Sequence, residues 1–360
     1  MNDETPPETP ADGQNAGQPG GRPTRRSHRG LGWLISIILF VLIAGATLAG
    51  GSTVMLHRAY SDPGPLTEDR SVVILRGASG QAIASTLVNA GIAADTRLFT
   101  IAVRFLAPER PLRAGEYAFS AGVSLRDVVA KLQAGDTVVR RVTVAEGLTT
   151  REILALIEST GGLAGPTPAL SEVGEGAVLP ETYHFSLGDT RAALIARMRA
   201  ARDTGLARLW AARKDGLPLP SPAEALVLAS IVERETAVPD ERARVAGVFI
   251  NRLNRGMRLQ SDPTVAYGLT KDGTPLDRPL RRADLAVDHP YNTYVHRGLP
   301  PGPIANPGLA SIEAVLNPAE TKDLYFVADG TGGHAFARTL AEHNRNVARW
   351  RRIQRELRAR

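Results

Sequence analysis

The sequence predicts a mixed α+β protein that begins with a single N-terminal membrane-spanning helix and continues with a small α+β module and a larger α+β region. Three observations support this fold class. One long segment near the N-terminus carries no charge, short strand-like runs alternate with helical patterns up to about residue 160, and longer amphipathic patterns follow. A chain of 360 residues is long enough for two domains and additional segments.

The N-terminal region divides into a polar tail and an apolar segment. Residues 1–30 are rich in Pro, Gly, Asn and Gln, a composition that cannot bury enough apolar surface to fold, so we predict a disordered tail. Residues 31–56 carry no charge and exceed the roughly 20 apolar residues that cross a bilayer. We predict an uncleaved transmembrane helix there. A cleavable signal peptide is the alternative, because "AGATLAGG" supplies small residues.

The charges beside the apolar segment predict its orientation. Short basic flanks remain in the cytoplasm, so the N-terminus is expected inside the cell and the rest of the chain outside. The basic residues that precede the segment are Arg22, Arg25, Arg26 and Arg29.

Composition limits the classes of function. The chain has no cysteine, which excludes disulfides and cysteine-ligated metals, and its net charge is +6. The basic C-terminal stretch "RWRRIQRELRAR" is interpreted as a charged helical face, because a nucleic-acid site would have no use outside the cell. His289, His296 and His334 lack metal-ligand spacing and are interpreted as loop or turn residues. We therefore expect no metal, no cofactor and no nucleic-acid partner.

A weak internal repeat follows a linker at residues 57–71. The runs "VVIL", "GEYAF" and "VRRVTV" each precede a helical pattern, and the three patterns begin with Gly and Ser or Thr and end in Gly. Repeated strand–helix units of this kind indicate a small α+β module that binds a glycan or acts as a spacer.

The stretch "ALVLASIVERETA", residues 225–237, is an apolar helix that ends in two glutamates. Glu235 lies three, four and seven residues after apolar positions, so it projects from the apolar stripe, whereas Glu233 points to nearly the opposite side. A sheltered carboxyl has a raised pKa and can donate a proton near neutral pH. The alternative reading is that Glu235 caps the next helix or pairs with an arginine.

Further elements are predicted in the C-terminal half. "ERARVAGVFINRLNRG" predicts an amphipathic helix that ends at Gly256, and "NPGLASIEAVLNP" predicts a helix capped by Asn306. "DLYFVADGTGGHAFA" predicts a β-hairpin, and the spacing of Thr339 and Glu342 predicts a capping box on a final helix.

Several of these stretches together resemble one known family. "LASIVERETAVPDERARVAGVFINRLNRGMRLQSDPTVAYG", "LPETYHF", "RRADL", "YNTYVHRGLPPGPIANPG" and "LYFVADGTGGHAF" resemble, in the same order, the signature of the YceG-like family of membrane-bound endolytic murein transglycosylases. The resemblance covers about residues 72–349 and includes the membrane anchor. It implies a LysM-like module, expected at 72–145, and a catalytic domain, expected at 146–360.

The resemblance also implies a reaction and a location. The family cleaves the glycan strands of peptidoglycan between MurNAc and GlcNAc and leaves 1,6-anhydro-MurNAc ends. Its catalytic glutamate is the second of the E-[KR]-E-T block, which corresponds to Glu235. The implied location is the bacterial inner membrane, with the catalytic domain in the periplasm, and the implied partners are glycan strands and penicillin-binding synthases.

Secondary site residues are predicted beside Glu235. Gln260 and Asp262 occupy a polar loop that could face the groove, although Asp262 is equally well explained as a helix cap before Pro263. Asn292 and Tyr294 of "YNTY" could hydrogen-bond sugar or peptide. Glu233 is interpreted as a solvated charge, with support of Glu235 as the alternative.

A function of another class remains open at this point. A catalytically silent, membrane-anchored protein that binds glycan or acts as a division scaffold would need only the LysM-like module and the basic tail. The intact "ERET" block favours the enzyme, because a scaffold needs no acid on an apolar face.

Overall fold

The computed structural model describes residues 29–270, 274 and 276–358. It is a mixed α+β structure with an apolar N-terminal helix, as the sequence predicts, and the chain divides into two compact units with the boundary after Asp62. The first unit contains helix α1, Arg29–Ser61. Within it, Trp33–Ser61 has a mean hydropathy of 2.4, and 29 helical residues extend about 40 Å, more than a bilayer core requires. The predicted tail, with Arg22, Arg25 and Arg26, lies outside the described residues up to residue 28.

The second unit begins with a two-stranded antiparallel sheet and three helices. Strands β1 and β2 pair with Val72 opposite Tyr117, and both of these residues are buried while their neighbours Val73 and Ala118 are exposed. Tyr117, Phe99 and Leu132 are buried between sheet and helices. The elements are β1 (Arg70–Ile74), α2 (Gly80–Asn89), α3 (Thr96–Ile101), a π-helical turn (Ala102–Leu106), β2 (Gly115–Phe119) and α4 (Leu125–Ala134).

A second two-stranded sheet follows, and it joins distant parts of the chain. The third strand of the predicted repeat, β3, pairs antiparallel with β4, which lies beyond residue 145, instead of joining β1 and β2. Thr149 and Glu152 form a capping box that starts the helix after β3. The assignment of 72–145 to a LysM-like module stays a prediction. The elements are β3 (Val139–Thr143), α5 (Thr150–Ser159), α6 (Leu170–Val173), β4 (Thr182–Ser186) and α7 (Arg191–Ala211).

Helices form the main core of the C-terminal half. Helix α8 starts at Ser221, whose side chain accepts from the Glu224 N–H, and residues 225–232 are buried on all sides because α9 and α11 pack against it. The predicted helix at 306 begins later, because α11 starts after Gly308. Asn306 does not cap it, since its side chain bonds elsewhere in the core. The elements are α8 (Pro222–Glu235), α9 (Pro239–Asn254), α10 (Asp262–Gly268), a 3-10 turn (Asp284–Ala286) and α11 (Leu309–Leu316).

A hairpin and a long helix complete the second unit. Strands β5 (Tyr325–Ala328) and β6 (His334–Ala337) pair antiparallel as predicted. Phe326 of β5 meets Phe249 of α9 edge to face at 5.7 Å between ring centroids, which attaches the hairpin to the helical core. Helix α12 (Leu340–Arg358) follows, and Thr339 and Glu342 exchange the two hydrogen bonds of the predicted capping box.

Candidate active site

Glu235 is the last residue of α8 and lies on the floor of a cleft of roughly 480 Å³. The sheltered position predicted for it is confirmed. The Ser261 hydroxyl donates a 2.5 Å hydrogen bond to Oε1. Burial raises the pKa of Glu235 to about 7, and the nearby charge of Asp262 adds to the effect, while the Ser261 bond opposes it. A carboxyl with this pKa is protonated often enough at neutral pH to act as an acid.

The loop before α10 fixes the position of Ser261. Gln260 has a φ of 49°, a left-handed conformation that non-glycine residues seldom adopt. Its N–H donates to the Thr293 carbonyl at 3.2 Å, and the Ser261 N–H donates to the Thr293 Oγ1 at 3.0 Å. Thr264 and Thr293 share a further hydroxyl contact of 2.8 Å. These bonds hold Ser261 where its hydroxyl meets Glu235.

Three of the four secondary residues predicted from sequence line the same cleft as Glu235. They are Gln260, Asp262 and Tyr294. The Tyr294 hydroxyl donates to Asp262 Oδ1 at 2.6 Å. Burial, together with this bond, raises the pKa of Tyr294, so its hydroxyl keeps its proton. The structure therefore brings together an acid, a paired carboxylate and a phenol at one surface.

Asn292 lies inside the loop instead of on the cleft surface. It is 1% exposed, and its amide donates to the carbonyls of Leu285 and Val287. Its Oδ1 accepts the N–H of Tyr294 at 2.9 Å. With both ends of the amide engaged, Asn292 holds Tyr294 in place and offers no free group to a substrate.

The interpretation of Glu233 as a solvated charge is wrong. Its side chain is only 6% exposed, it accepts the Gly308 N–H at 2.9 Å, and it lies 3.8 Å from the Arg242 guanidinium. The side of α8 opposite Glu235 is covered by the loop that leads into α11, which local periodicity could not reveal. Glu233 thus anchors this loop and does not support Glu235 directly.

Arg252 is a cleft residue that the sequence reading missed. It is 7% exposed, and its guanidinium donates to the carbonyls of Leu324 and Leu259 at 2.6 Å each. Among the described residues, no carboxylate pairs with it within 4 Å. A signal was available, because Arg252 lies three, four and seven residues after apolar positions of α9, the spacing that singled out Glu235.

His334 is a second missed residue, and it is the first residue of β6 instead of a turn residue. Its ring lines the cleft, and Glu241 holds it from α9 through a 2.7 Å contact at Nδ1. The same carboxylate accepts the His334 backbone N–H at 2.8 Å. The two residues are far apart in sequence, so no local pattern joins them.

Another buried carboxyl, Glu175, has a structural role. Burial raises its pKa, but it accepts from the Thr150 N–H and hydroxyl, from the Asn306 amide and from the Tyr267 hydroxyl, at 2.8–3.3 Å. These bonds tie three segments together and leave little capacity for a ligand. No group of three metal-binding side chains occurs within the described residues.

Comparisons with known proteins agree on one family. The YceG-like family model matches residues 72–349. A protein of Bacillus subtilis named endolytic murein transglycosylase is 31% identical over 334 residues, which is 85% of this chain and 90% of that protein. One of the same name from Streptococcus pneumoniae is 30% identical over 88% of this chain and 64% of its own length. A crystal structure of a yceG-like protein from Listeria monocytogenes aligns with a TM-score of 0.47 and 30% identity, over 78% of this chain and 99% of the other.

Proposed function

The chain belongs to the YceG-like family, and on that basis we propose that it is an endolytic lytic transglycosylase that cleaves peptidoglycan glycan strands between MurNAc and GlcNAc. The names of the relatives support the reaction class. The observation that carries the proposal to a mechanism is the carboxyl of Glu235, sheltered at the floor of the cleft and with its pKa raised to about 7. Such a group can both give and take a proton in one catalytic cycle.

One glutamate is enough when the substrate supplies the nucleophile. Glycosidases usually place a second carboxyl beside the scissile bond as nucleophile or base. Here the 6-hydroxyl of MurNAc attacks its own anomeric carbon. Glu235 first protonates the departing GlcNAc oxygen as the C–O bond breaks, and its carboxylate then takes the hydroxyl proton as the new ring closes. The proton is returned, the product ends in 1,6-anhydro-MurNAc, and no water enters the reaction.

The other cleft residues have supporting roles in this proposal. The other carboxylate that lines the cleft in the described part of the chain is Asp262. Tyr294 engages it, which favours a role in positioning over one as nucleophile. Tyr294 and the exposed Gln260 offer hydrogen bonds to sugar or peptide. The Arg252 guanidinium carries a positive charge that stabilises Glu235 once it has lost its proton.

The apolar N-terminal helix supports a proposal about location. We place the enzyme in the inner membrane by a single pass, with the N-terminus in the cytoplasm and the second unit in the periplasm, where peptidoglycan lies. Family membership supports penicillin-binding synthases as partners, because cutting and synthesis act on the same strands. No described residue identifies the surface they would contact.

The test is a digest of purified glycan strands by the full chain in detergent, analysed by mass spectrometry. The expected products are oligosaccharides released from inside long strands from the outset, each lighter by one water molecule than a hydrolysis product. Glu235→Gln should release none. Mainly reducing-end products would instead mean a hydrolase, and intact strands that remain bound to the protein would favour the silent glycan-binding alternative.

A further inference from the structure

A carboxylate–imidazole pair that the proposed mechanism does not use lies at the cleft, where His334 is a lining residue and Glu241 stands behind it. Glu241 accepts the His334 backbone N–H at Oε1 and contacts the His334 ring at Oε2, at 2.8 and 2.7 Å. The side chains are 16% and 20% exposed, so the pair is largely sheltered from competing water. Gly333 allows this approach, because a Cβ there would stand 2.7 Å from the carboxylate.

These contacts decide which ring nitrogen carries the proton. An ionised carboxylate only accepts hydrogen bonds, so the His334 nitrogen that touches Glu241 must be a donor. Nδ1 is therefore the protonated nitrogen, and in the neutral ring Nε2 is an acceptor. Within the described residues no group forms a hydrogen bond with Nε2. This atom is also not one of the fully buried atoms that lack a partner, so it is accessible. Nε2 thus presents a free lone pair to the cleft that also contains Glu235.

From this geometry we propose that His334 is a catalytic residue that accepts, through Nε2, a hydrogen bond from a sugar hydroxyl beside the scissile bond, and that Glu241 is a positioning residue that fixes its tautomer. The inference rests on the proposed function for its substrate. No proton is transferred to His334, and its contribution is to hold the sugar ring at the angle that Glu235 needs. A misplacement of about 1 Å at a reacting centre can cost about 100-fold in rate, so one well-placed contact is worth a large factor.

The experiment compares His334→Ala, Glu241→Gln and His296→Ala in the full chain with purified glycan strands. His296 is the matched control, because it also contacts a carboxylate, Asp288, at 2.8 Å, but it is exposed and does not line the cleft. We expect His334→Ala to lose about 10- to 100-fold in kcat with a smaller change in KM, and added imidazole to restore part of the rate. The control should stay within about twofold of the wild type.

Glu241→Gln tests the tautomer directly. The glutamine amide presents an N–H donor to Nδ1 where the carboxylate accepted a hydrogen bond. The neutral ring therefore carries its proton on Nε2, which faces the cleft. In serine proteases, replacing the carboxylate behind the catalytic histidine by an amide leaves the geometry intact but lowers the rate, because the histidine adopts the wrong tautomer. We expect a loss of activity that matches His334→Ala, and ¹⁵N spectra of the ring in which the protonated nitrogen has changed.

The outcomes separate this inference from the function on which it rests. If the wild type releases no anhydro products, the proposed function fails irrespective of the variants. If it does release them, but His334→Ala keeps activity within about twofold, the inference is overturned. It is also overturned if activity is lost without imidazole rescue, because that result describes a structural residue.

Discussion

Glu233 and Glu235 are separated by one residue on α8, and their surroundings are opposite in kind. Glu235 faces a cleft, and its one strong contact is a neutral hydroxyl, so burial raises its pKa. Glu233 faces the loop before α11, where a backbone N–H and Arg242 meet its carboxylate. The first arrangement leaves a proton free to move, and the second uses a charge to hold a loop in place.

Glu235→Gln should abolish strand cleavage without unfolding the protein. The amide keeps shape and hydrogen-bonding capacity but has no proton to transfer, and general acid–base catalysis contributes about 10²–10⁴-fold. Stability at neutral pH should be equal to or slightly above that of the wild type, because an amide is easier to bury than a carboxylate. Rates of product release and melting temperature measured on one preparation check both statements. Loss of activity through unfolding would mean that Glu235 is a structural residue.

Glu233→Gln should show the reverse behaviour. It removes the negative charge beside Arg242 and weakens the bond to the Gly308 N–H, which should lower the free energy of unfolding by about 1 kcal/mol. Strand cleavage should remain close to the wild-type level, since Glu233 does not line the cleft. Denaturant unfolding and the same digest measure the two effects. An inactive but stable Glu233→Gln would contradict the assignment of the two faces of α8.

The raised pKa of Glu235 predicts how activity and stability depend on pH. As an acid it must start protonated, so activity should fall as pH rises above about 7. The unfolded carboxyl titrates near its usual 4.5, so between 4.5 and about 7 the folded protein binds a proton that the unfolded chain has lost. Stability contributed by this site therefore decreases as pH rises through that window.

Glu235→Gln provides the comparison for the pH prediction. It should remove this decrease, so that the difference in melting temperature between variant and wild type grows in favour of the variant from about pH 5 to about pH 8. A difference that stays constant with pH would show that Glu235 is not desolvated in the folded protein.

At the scale of elements, local sequence patterns predict the features that depend only on residues close together in the chain, such as turns and helix ends. The hairpin at 325–337 and the end of α9 follow from turn residues and from Gly256, whose φ of 61° suits a helix end. The proline after Asn306 predicts a helix cap at Asn306, but the amide of this residue bonds Thr150 and Glu175, which are more than a hundred residues away in sequence. The contact of His334 with Glu241 is missed for the same reason, since only the folded chain brings α9 beside β6.

Gly247 is an element-scale feature with a testable consequence. It lies within α9 where the segment at 318–323 crosses the helix, and a Cβ there would stand 2.7 Å from the Ala319 carbonyl oxygen. Gly247→Ala gains about 1 kcal/mol of helix propensity but forces the crossing segment away, and overpacking typically costs about 1–3 kcal/mol. We expect a lower melting temperature. Gly80→Ala, at the start of α2 with no atom within 4 Å of the added carbon, should be neutral or stabilising. Equal behaviour of both variants would refute the close approach.

At the scale of the whole molecule, the anchor and the cleft belong to different units, and a tether limits where a cleft can act. A domain joined to a membrane helix stays near the bilayer. The concentration of glycan strands near the membrane surface therefore decides which substrate the cleft binds first. If the proposed topology holds, these strands are those close to the membrane surface. Separating the second unit from the N-terminal helix should therefore alter which glycan strands are cleaved more than it alters the cleavage reaction.

The topology itself is the final prediction. We expect activity from a reporter that works only outside the cytoplasm and is fused after Ser61. The basic residues before the apolar helix hold the N-terminus inside, so the chain after the helix lies outside. Replacing Arg22, Arg25, Arg26 and Arg29 by glutamine should reduce that activity, while the same number of arginine replacements in α12, which is distant from the apolar helix in sequence, should not. The apolar helix should remain part of the mature protein. A mature N-terminus near Gly50 would show that the helix is a cleaved signal peptide, and an inactive fusion would reverse the orientation and place the cleft where no peptidoglycan lies.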